Sequence, residues 1–206
     1  MLLYLLIIAV CMLIIAGIVT LALAENFLFV LLWTTAGVAL IMAVDGLTAT
    51  VARLMPDPKK SKFFDVSRKE KQTYEKWRIR KWKDKVPEIG HFTGFRKNKL
   101  DDPRSVAYVE RFLMESRYGE VGHIVSCVTG ALIFLVQLIP AFPAYWWMLC
   151  IGIVFVNAAL NIPTVFVLRY NYYKLTALKN ALIKKEQKLT AASLATATAK
   201  DATEGA

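Results

Sequence analysis

Four apolar runs dominate this chain, and each is near or above the roughly 20 residues that carry an α-helix across a bilayer. The first is Leu2–Ala24. The second runs from Phe27 to about Met55, with Asp45 and Arg53 towards its end. The third runs from about Gly122 to Ile139, and the fourth from about Tyr145 to Leu168. Glu25-Asn26 makes a tight connection. Pro140-Ala141-Phe142-Pro143 makes another, its prolines stopping one helix and starting the next. The pattern predicts an all-α integral membrane protein with four transmembrane helices in two hairpins.

Charge divides the rest of the chain. A net charge of +10 sits beside 56% hydrophobic residues and a mean hydropathy of +0.43, a pairing that soluble domains rarely carry. Eighteen of the 26 Lys and Arg residues lie between Pro56 and Tyr118, and another cluster follows Arg169. The connections at 25–26 and 140–144 hold none. The positive-inside rule then places both termini and residues 56–118 in the cytoplasm of a multi-pass cell-membrane protein, with Tyr145, Trp146 and Trp147 as an outer aromatic belt. Leu2–Ala24 is too long for a signal-peptide core and lacks a basic leader, so it reads as a retained helix. Leu23-Ala24-Glu25 can mimic a cleavage site. Cys11, Cys127 and Cys150 all lie in apolar stretches with no C-x-x-C pair. They read as small buried hydrophobes, implying neither a disulfide framework nor a metal site.

These features divide the chain into a first hairpin (1–55), a basic cytoplasmic or interfacial helical insertion (56–118), a second hairpin (119–169), an amphipathic C-terminal helix (170–189) and a disordered tail (190–206). Within the insertion, Ser67 to about Lys85 reads as one basic helix. Its Tyr74, Trp77 and Trp82 stand among Lys76, Arg78, Arg80, Lys81 and Lys83, so it can lie among anionic headgroups. Pro87 ends it, and Gly90, Gly94 and Asn98 mark a turning loop. Val106–Gly119 is helical again, with Asp102 or Ser105 as candidate cap. Leu175, Leu178 and Leu182 form the apolar stripe of the C-terminal helix. The Ala/Thr-rich tail buries too little apolar surface to order itself.

His123, one of two histidines, stands at the polar edge of the third run. Glu120, three residues earlier, shares its helix face, and an imidazole oriented by a carboxylate can act as a general base. A solvated interfacial histidine is the alternative. At about 1.5 Å per residue, Asp45 lies about 27 Å along the second helix, close to the far boundary of a ~30 Å core. Asn157 and Asn161 share one face of the fourth helix, and Arg169-Tyr170-Asn171 emerge on the basic side. Asp45, His123, Asn161 and Arg169 therefore come from three helices at similar depth, as in a polar pocket opening to the inner leaflet. Simpler roles stand beside these. The asparagines can join helices by hydrogen bonds, Pro163 can be a kink, and Asp45 can pair with Arg53. Gly122, Ser126 and Gly130 form a small-residue stripe for helix packing.

Two stretches carry a resemblance. One is Lys76-Trp77-Arg78-Ile79-Arg80-Lys81-Trp82-Lys83-Asp84-Lys85-Val86-Pro87-Glu88, followed by Gly90-His91-Phe92. The other is Asn161-Ile162-Pro163 with Arg169-Tyr170-Asn171 and Leu175. With Glu115 and Glu120-x-x-His123 between them, the chain resembles the glycosyl-4,4'-diaponeurosporenoate acyltransferase family over about residues 45–188. The resemblance implies a small bacterial membrane enzyme that esterifies a sugar hydroxyl of a glycosylated carotenoid acid, or of another glycolipid, with a fatty acyl chain. In that chemistry His123 is the candidate base, Glu120 its orienter and Glu115 a weaker partner. Asn161 or Arg169 is the candidate oxyanion donor. Arg80-Lys81-Trp82-Lys83 can bind the phosphates of a coenzyme A donor or, equally, lipid headgroups. His91 is a possible second catalytic residue, and Asp45, Tyr170 and Asn171 complete the candidate substrate-binding set. The expected partners are membrane lipids, an acyl donor (acyl-CoA or another carrier) as co-substrate and a glycolipid acceptor, with no resident cofactor, metal or nucleic acid. The main rival is a non-enzymatic four-helix scaffold or lipid-binding subunit. A transferase or reductase with a nucleotide cofactor finds no Gly-rich fingerprint.

Overall fold

The computed structural model describes residues 2–54, 61–86 and 100–204. Every regular element among them is helical: α1 (Leu2–Leu23), α2 (Phe27–Leu54), α3 (Arg68–Lys76), α4 (Ile79–Trp82), α5 (Val106–Ala131) and α6 (Trp146–Glu204). Four helices are long and apolar enough to cross a membrane: α1, α2, α5 with its continuation to Leu138, and α6. The protein is a multi-pass membrane protein. α1 turns into α2 through Ala24, whose φ of 54° is left-handed. Asn26 then caps α2, its Oδ1 accepting from the Phe29 amide at 3.2 Å. Ser105, one of the two candidate caps, starts α5 by accepting from the Tyr108 amide at 3.2 Å, which satisfies one of the orphan donors of the first turn.

Several boundaries differ from the sequence reading. Ser67 to Lys85 is not one helix. α3 ends at Lys76, Arg78 takes a left-handed φ of 53°, and α4 follows as a single turn with a 3₁₀ turn at Lys83–Lys85. The break lets Ile79 turn inward, where it is fully buried with Tyr74, Val167 and Tyr170. No helix ends at Gly119 either, because α5 runs unbroken from Val106 into the third apolar run. Nor does α6 divide: it carries Pro163 inside and continues to Glu204, through the tail read as disordered. Alanine is the best helix former, so local propensity holds the tail helical while residues 186–195 stay exposed.

Packing follows the apolar faces. At the end away from α3 and α4, Trp146, Leu149 and Ile153 of α6 meet Ile15, Val19 and Val30 of the first hairpin. Trp33, Phe142 and Trp146 stack there with ring centroids 4.9–6.0 Å apart. The aromatic belt is corrected accordingly: Tyr145 and Trp146 are buried, and only Trp147, 50% exposed, faces outward. At the other end the Leu175, Leu178 and Leu182 stripe packs against Val109, Phe112 and Leu113 of α5. The small-residue stripe of α5 serves two neighbours. Gly122 lies against Ala49 of α2, while Gly130 leaves room for the Asn157 amide of α6.

Candidate functional site

Two polar clusters are built on the contact of α5 with α6. The first centres on His123. Its Nδ1 lies 2.6 Å from Asn161 Oδ1. Asn161 Nδ2 donates to Asn157 twice, to the backbone oxygen at 3.0 Å and to Oδ1 at 2.7 Å. Asn157 Nδ2 in turn reaches the Ser126 carbonyl at 3.0 Å. From α2, Thr48 Oγ1 lies 3.1 Å from Ser126 Oγ, and the Asp45 carboxyl interacts with Ser126, His123 and Asn161. Asp45 Oδ1 is buried with no hydrogen-bond partner among the described residues.

This network defines a tautomer. Nδ2 of Asn161 is turned toward acceptors, the Asn157 carbonyl and Oδ1 among them, so Oδ1 faces His123 as an acceptor and Nδ1–H of His123 donates. The lone pair of the neutral ring then lies on Nε2. Asn161 therefore acts as an acceptor that orients the imidazole, rather than as a donor to an oxyanion.

The second cluster lies two turns further along α6, about 12 Å by helix rise. Arg169 grips Glu70 of α3 with two nitrogens, Nε to Oε1 at 2.5 Å and Nη2 to Oε2 at 3.1 Å. Its Nη1 donates to Glu120 of α5 and, at 3.1 Å, to the Phe63 carbonyl. The Phe63 ring lies 5.2 Å from the guanidinium carbon. Tyr74 donates its hydroxyl to the same Glu70 oxygen that takes Nε. Burial pushes the Glu70 carboxyl up, but the hydrogen bonds from Arg169 and Tyr74 outweigh it and hold Glu70 below the ordinary carboxylate range. Burial, then the bond to Glu70, raises the Tyr74 phenol above its ordinary value.

The sequence-derived candidates are thus redistributed. Asp45, His123 and Asn161 come together from three helices. Glu120, expected beside His123, is only 2% exposed and ion-pairs with Arg169 instead, and Arg169 belongs to that second cluster rather than to the His123 level. Glu115 stands 3.9 Å from Arg53, which leaves Arg53 facing Glu115 instead of Asp45. In the basic cassette Arg80 and Lys81 are exposed. Trp82 is half-buried and donates to the Trp77 carbonyl at 3.1 Å, and Lys83 lies 3.8 Å from Asp84. Tyr170 is buried in the core with Ile79, and Asn171 is also buried. His91 lies outside the described residues. Among the described residues, no group of three or more His, Cys, Asp or Glu is placed to hold a metal ion.

Glu70 was missed from sequence, although a signal was present. Ser67-x-x-Glu70 has capping-box spacing, and the Glu70 amide does donate to Ser67 Oγ at 3.1 Å. Nothing in that spacing announces the side chain's second partner on α6.

No curated protein and no solved structure matches the chain. A family model described as glycosyl-4,4'-diaponeurosporenoate acyltransferase matches residues 60–181. The match takes in α3, α4, α5, His123, Asn161 and both ion-paired carboxylates. Asp45 and the first hairpin precede it. Spanning more than half of the sequence, the match establishes that the chain belongs to the glycosyl-4,4'-diaponeurosporenoate acyltransferase family.

Proposed function

We propose that this protein transfers a fatty acyl group to a hydroxyl of a glycosylated lipid, a glycosyl carotenoid-like acceptor, at the cytoplasmic leaflet, with His123 as general base. The observation that carries the reading is the 2.6 Å contact of His123 Nδ1 with Asn161 Oδ1. Such a bond leaves Nε2 basic in a half-buried site, and family membership supplies the acyl-transfer chemistry. The concentration of Lys and Arg beside this end of the bundle supports the cytoplasmic side.

The step balances simply. Nε2 takes the hydroxyl proton as the acceptor oxygen bonds to the acyl carbonyl carbon. The tetrahedral intermediate then collapses. For a thioester donor the carbon–sulfur bond breaks, and the imidazolium returns its proton to the departing thiolate. Asp45 offsets the positive charge that His123 gains. Arg80 and Lys81, exposed on α4, suit the phosphates of a coenzyme A donor.

The test uses purified protein in nanodiscs with a labelled acyl-CoA and a glycolipid acceptor. His123→Ala is expected to lower turnover by about 10²–10⁴-fold, the usual worth of general base catalysis. Turnover near the wild-type level eliminates the base assignment. Absence of transfer by the wild-type protein to every acceptor returns the scaffold reading.

A further inference from the structure

A crevice of about 410 Å³ lies between α6 and the segment around the end of α4, a volume in the range of small-molecule sites. Among the described residues, Trp82, Lys85 and Val86 line one side, and Ala159, Leu160 and Pro163 of α6 the other. The first wall is firmly held. Trp82 Nε1 donates to the Trp77 carbonyl at 3.1 Å, and Trp82 and Val86 pack against the buried cluster of Tyr74, Ile79, Val167 and Tyr170. On the second wall Pro163 has no amide hydrogen, so the Ala159 carbonyl lacks the donor that an uninterrupted helix supplies. Pro163 lies about 26 Å from Trp146 by helix rise, close to the boundary of a ~30 Å hydrocarbon core. Back towards that core, Phe155 and Ile151 continue the face of Ala159 at four-residue spacing, 73% and 54% exposed. Lys85 is exposed, and Arg80 and Lys81 of α4 add exposed positive charge.

We propose that this crevice holds the glycerophosphate part of one anionic phospholipid of the surrounding bilayer, with the phosphate at Lys85 and an acyl chain along Phe155 and Ile151. A cation at headgroup level attracts anionic lipid, and the outward apolar face below it takes the chain. A headgroup hydroxyl, as in phosphatidylglycerol, can give the Ala159 carbonyl the hydrogen bond that Pro163 withholds. A soluble phosphate would use Lys85 and leave the apolar half of the lining without a partner. No residue of the His123 network lines the crevice, so the site is separate from the acyl-transfer reading and is tested without it. The bound lipid joins the basic segment to α6 at a second place besides Arg169.

Native mass spectrometry of the full chain, with dioleoyl phosphatidylglycerol or dioleoyl phosphatidylcholine added in detergent, tests the site. One phosphatidylglycerol is expected to be retained in preference to phosphatidylcholine. Lys85→Ala, at an exposed position, is expected to weaken that binding about fivefold, and Ala159→Phe, which fills the crevice from the α6 side, at least as much. Lys188→Ala makes the same charge change at another exposed position of α6 and should leave binding unchanged. Equal losses from Lys85→Ala and Lys188→Ala overturn the proposal, as do wild-type binding in Ala159→Phe and equal retention of the two lipids. Displacement by glycerol phosphate, which has no acyl chains, makes this a soluble-phosphate site and overturns the lipid assignment. A second measurement needs no variant. Phosphatidylglycerol bearing a diazirine near one acyl carbonyl is photolysed with wild-type protein in phosphatidylcholine nanodiscs. Adducts are expected at Trp82, Phe155 or Ala159 in higher yield than at Leu28 and Leu32, outward residues of α2 that are 73% and 63% exposed. Even labelling of the two sets overturns the assignment.

Discussion

Asn161 decides which nitrogen of His123 carries the proton of the neutral ring. A side-chain amide carries its acceptor and its donors on different atoms, and here Nδ2 is turned toward Asn157. The oxygen faces Nδ1–H, which puts the lone pair of the neutral ring on Nε2, the nitrogen proposed above as the base. Asn161→Leu keeps comparable bulk and removes that choice. Its turnover is expected to fall, by less than His123→Ala, and the imidazole ¹⁵N shifts should change from one tautomer to a mixture. A single unchanged tautomer in the variant assigns the orientation to some other group. The sequence brought Asp45, His123 and Asn161 to one level, because helix rise converts position into depth. It misassigned Glu120, because i,i+3 spacing says which face a residue occupies and nothing about which helix faces it. Across that face stands Arg169, and a deeply buried carboxylate is held far better by a guanidinium, with its several donors, than by an imidazole that can give one.

At the level of the helices, the apolar runs were legible because hydrocarbon thickness imposes their length. Interruptions were harder to read. Nothing local in Trp77-Arg78-Ile79 marks a break, and a left-handed Arg78 is tolerated because it delivers Ile79 into the core against Val167 and Tyr170. Pro163 removes one amide donor, and the helix continues through it as the unbroken fourth run implied. The small-residue stripe yields a graded prediction. A Cβ on Gly130 would overlap the Asn157 amide, whereas one on Gly17 meets nothing within 4 Å. Gly130→Ala is expected to cost about 1–3 kcal/mol through overpacking and to lower activity by displacing Asn157. Gly17→Ala is expected to be neutral or to gain up to about 1 kcal/mol from helix propensity. Thermal unfolding of both variants in the same detergent checks this. Equal midpoints contradict the claim that Gly130 is a site of close approach.

For the whole molecule, Arg169 is the point where the basic segment is fastened to the membrane bundle. It joins α6 to Glu120 of α5, to Glu70 of α3 and to the Phe63 carbonyl. The two carboxylates are not equivalent. Glu120 is 2% exposed, so Arg169→Met strands a buried charge and is expected to destabilise by about 3–5 kcal/mol. Glu70 retains some contact with solvent, and Glu70→Gln should cost no more than about 1 kcal/mol. Acid provides the sharper test. Because the folded protein holds Glu70 below its ordinary value of 4.5, its contribution is fully present above that value. It is lost as pH falls through the lower folded one. Hydrogen exchange of the α3 amides, corrected for intrinsic rate, should therefore lose protection in the wild type as pH drops below about 4.5. In Glu70→Gln, protection should be lower at neutral pH and change less across that window. If the two proteins respond identically to acid, Glu70 does not fasten α3, and its anchoring rests on Tyr74 and Ile79 packed against Val167 and Tyr170.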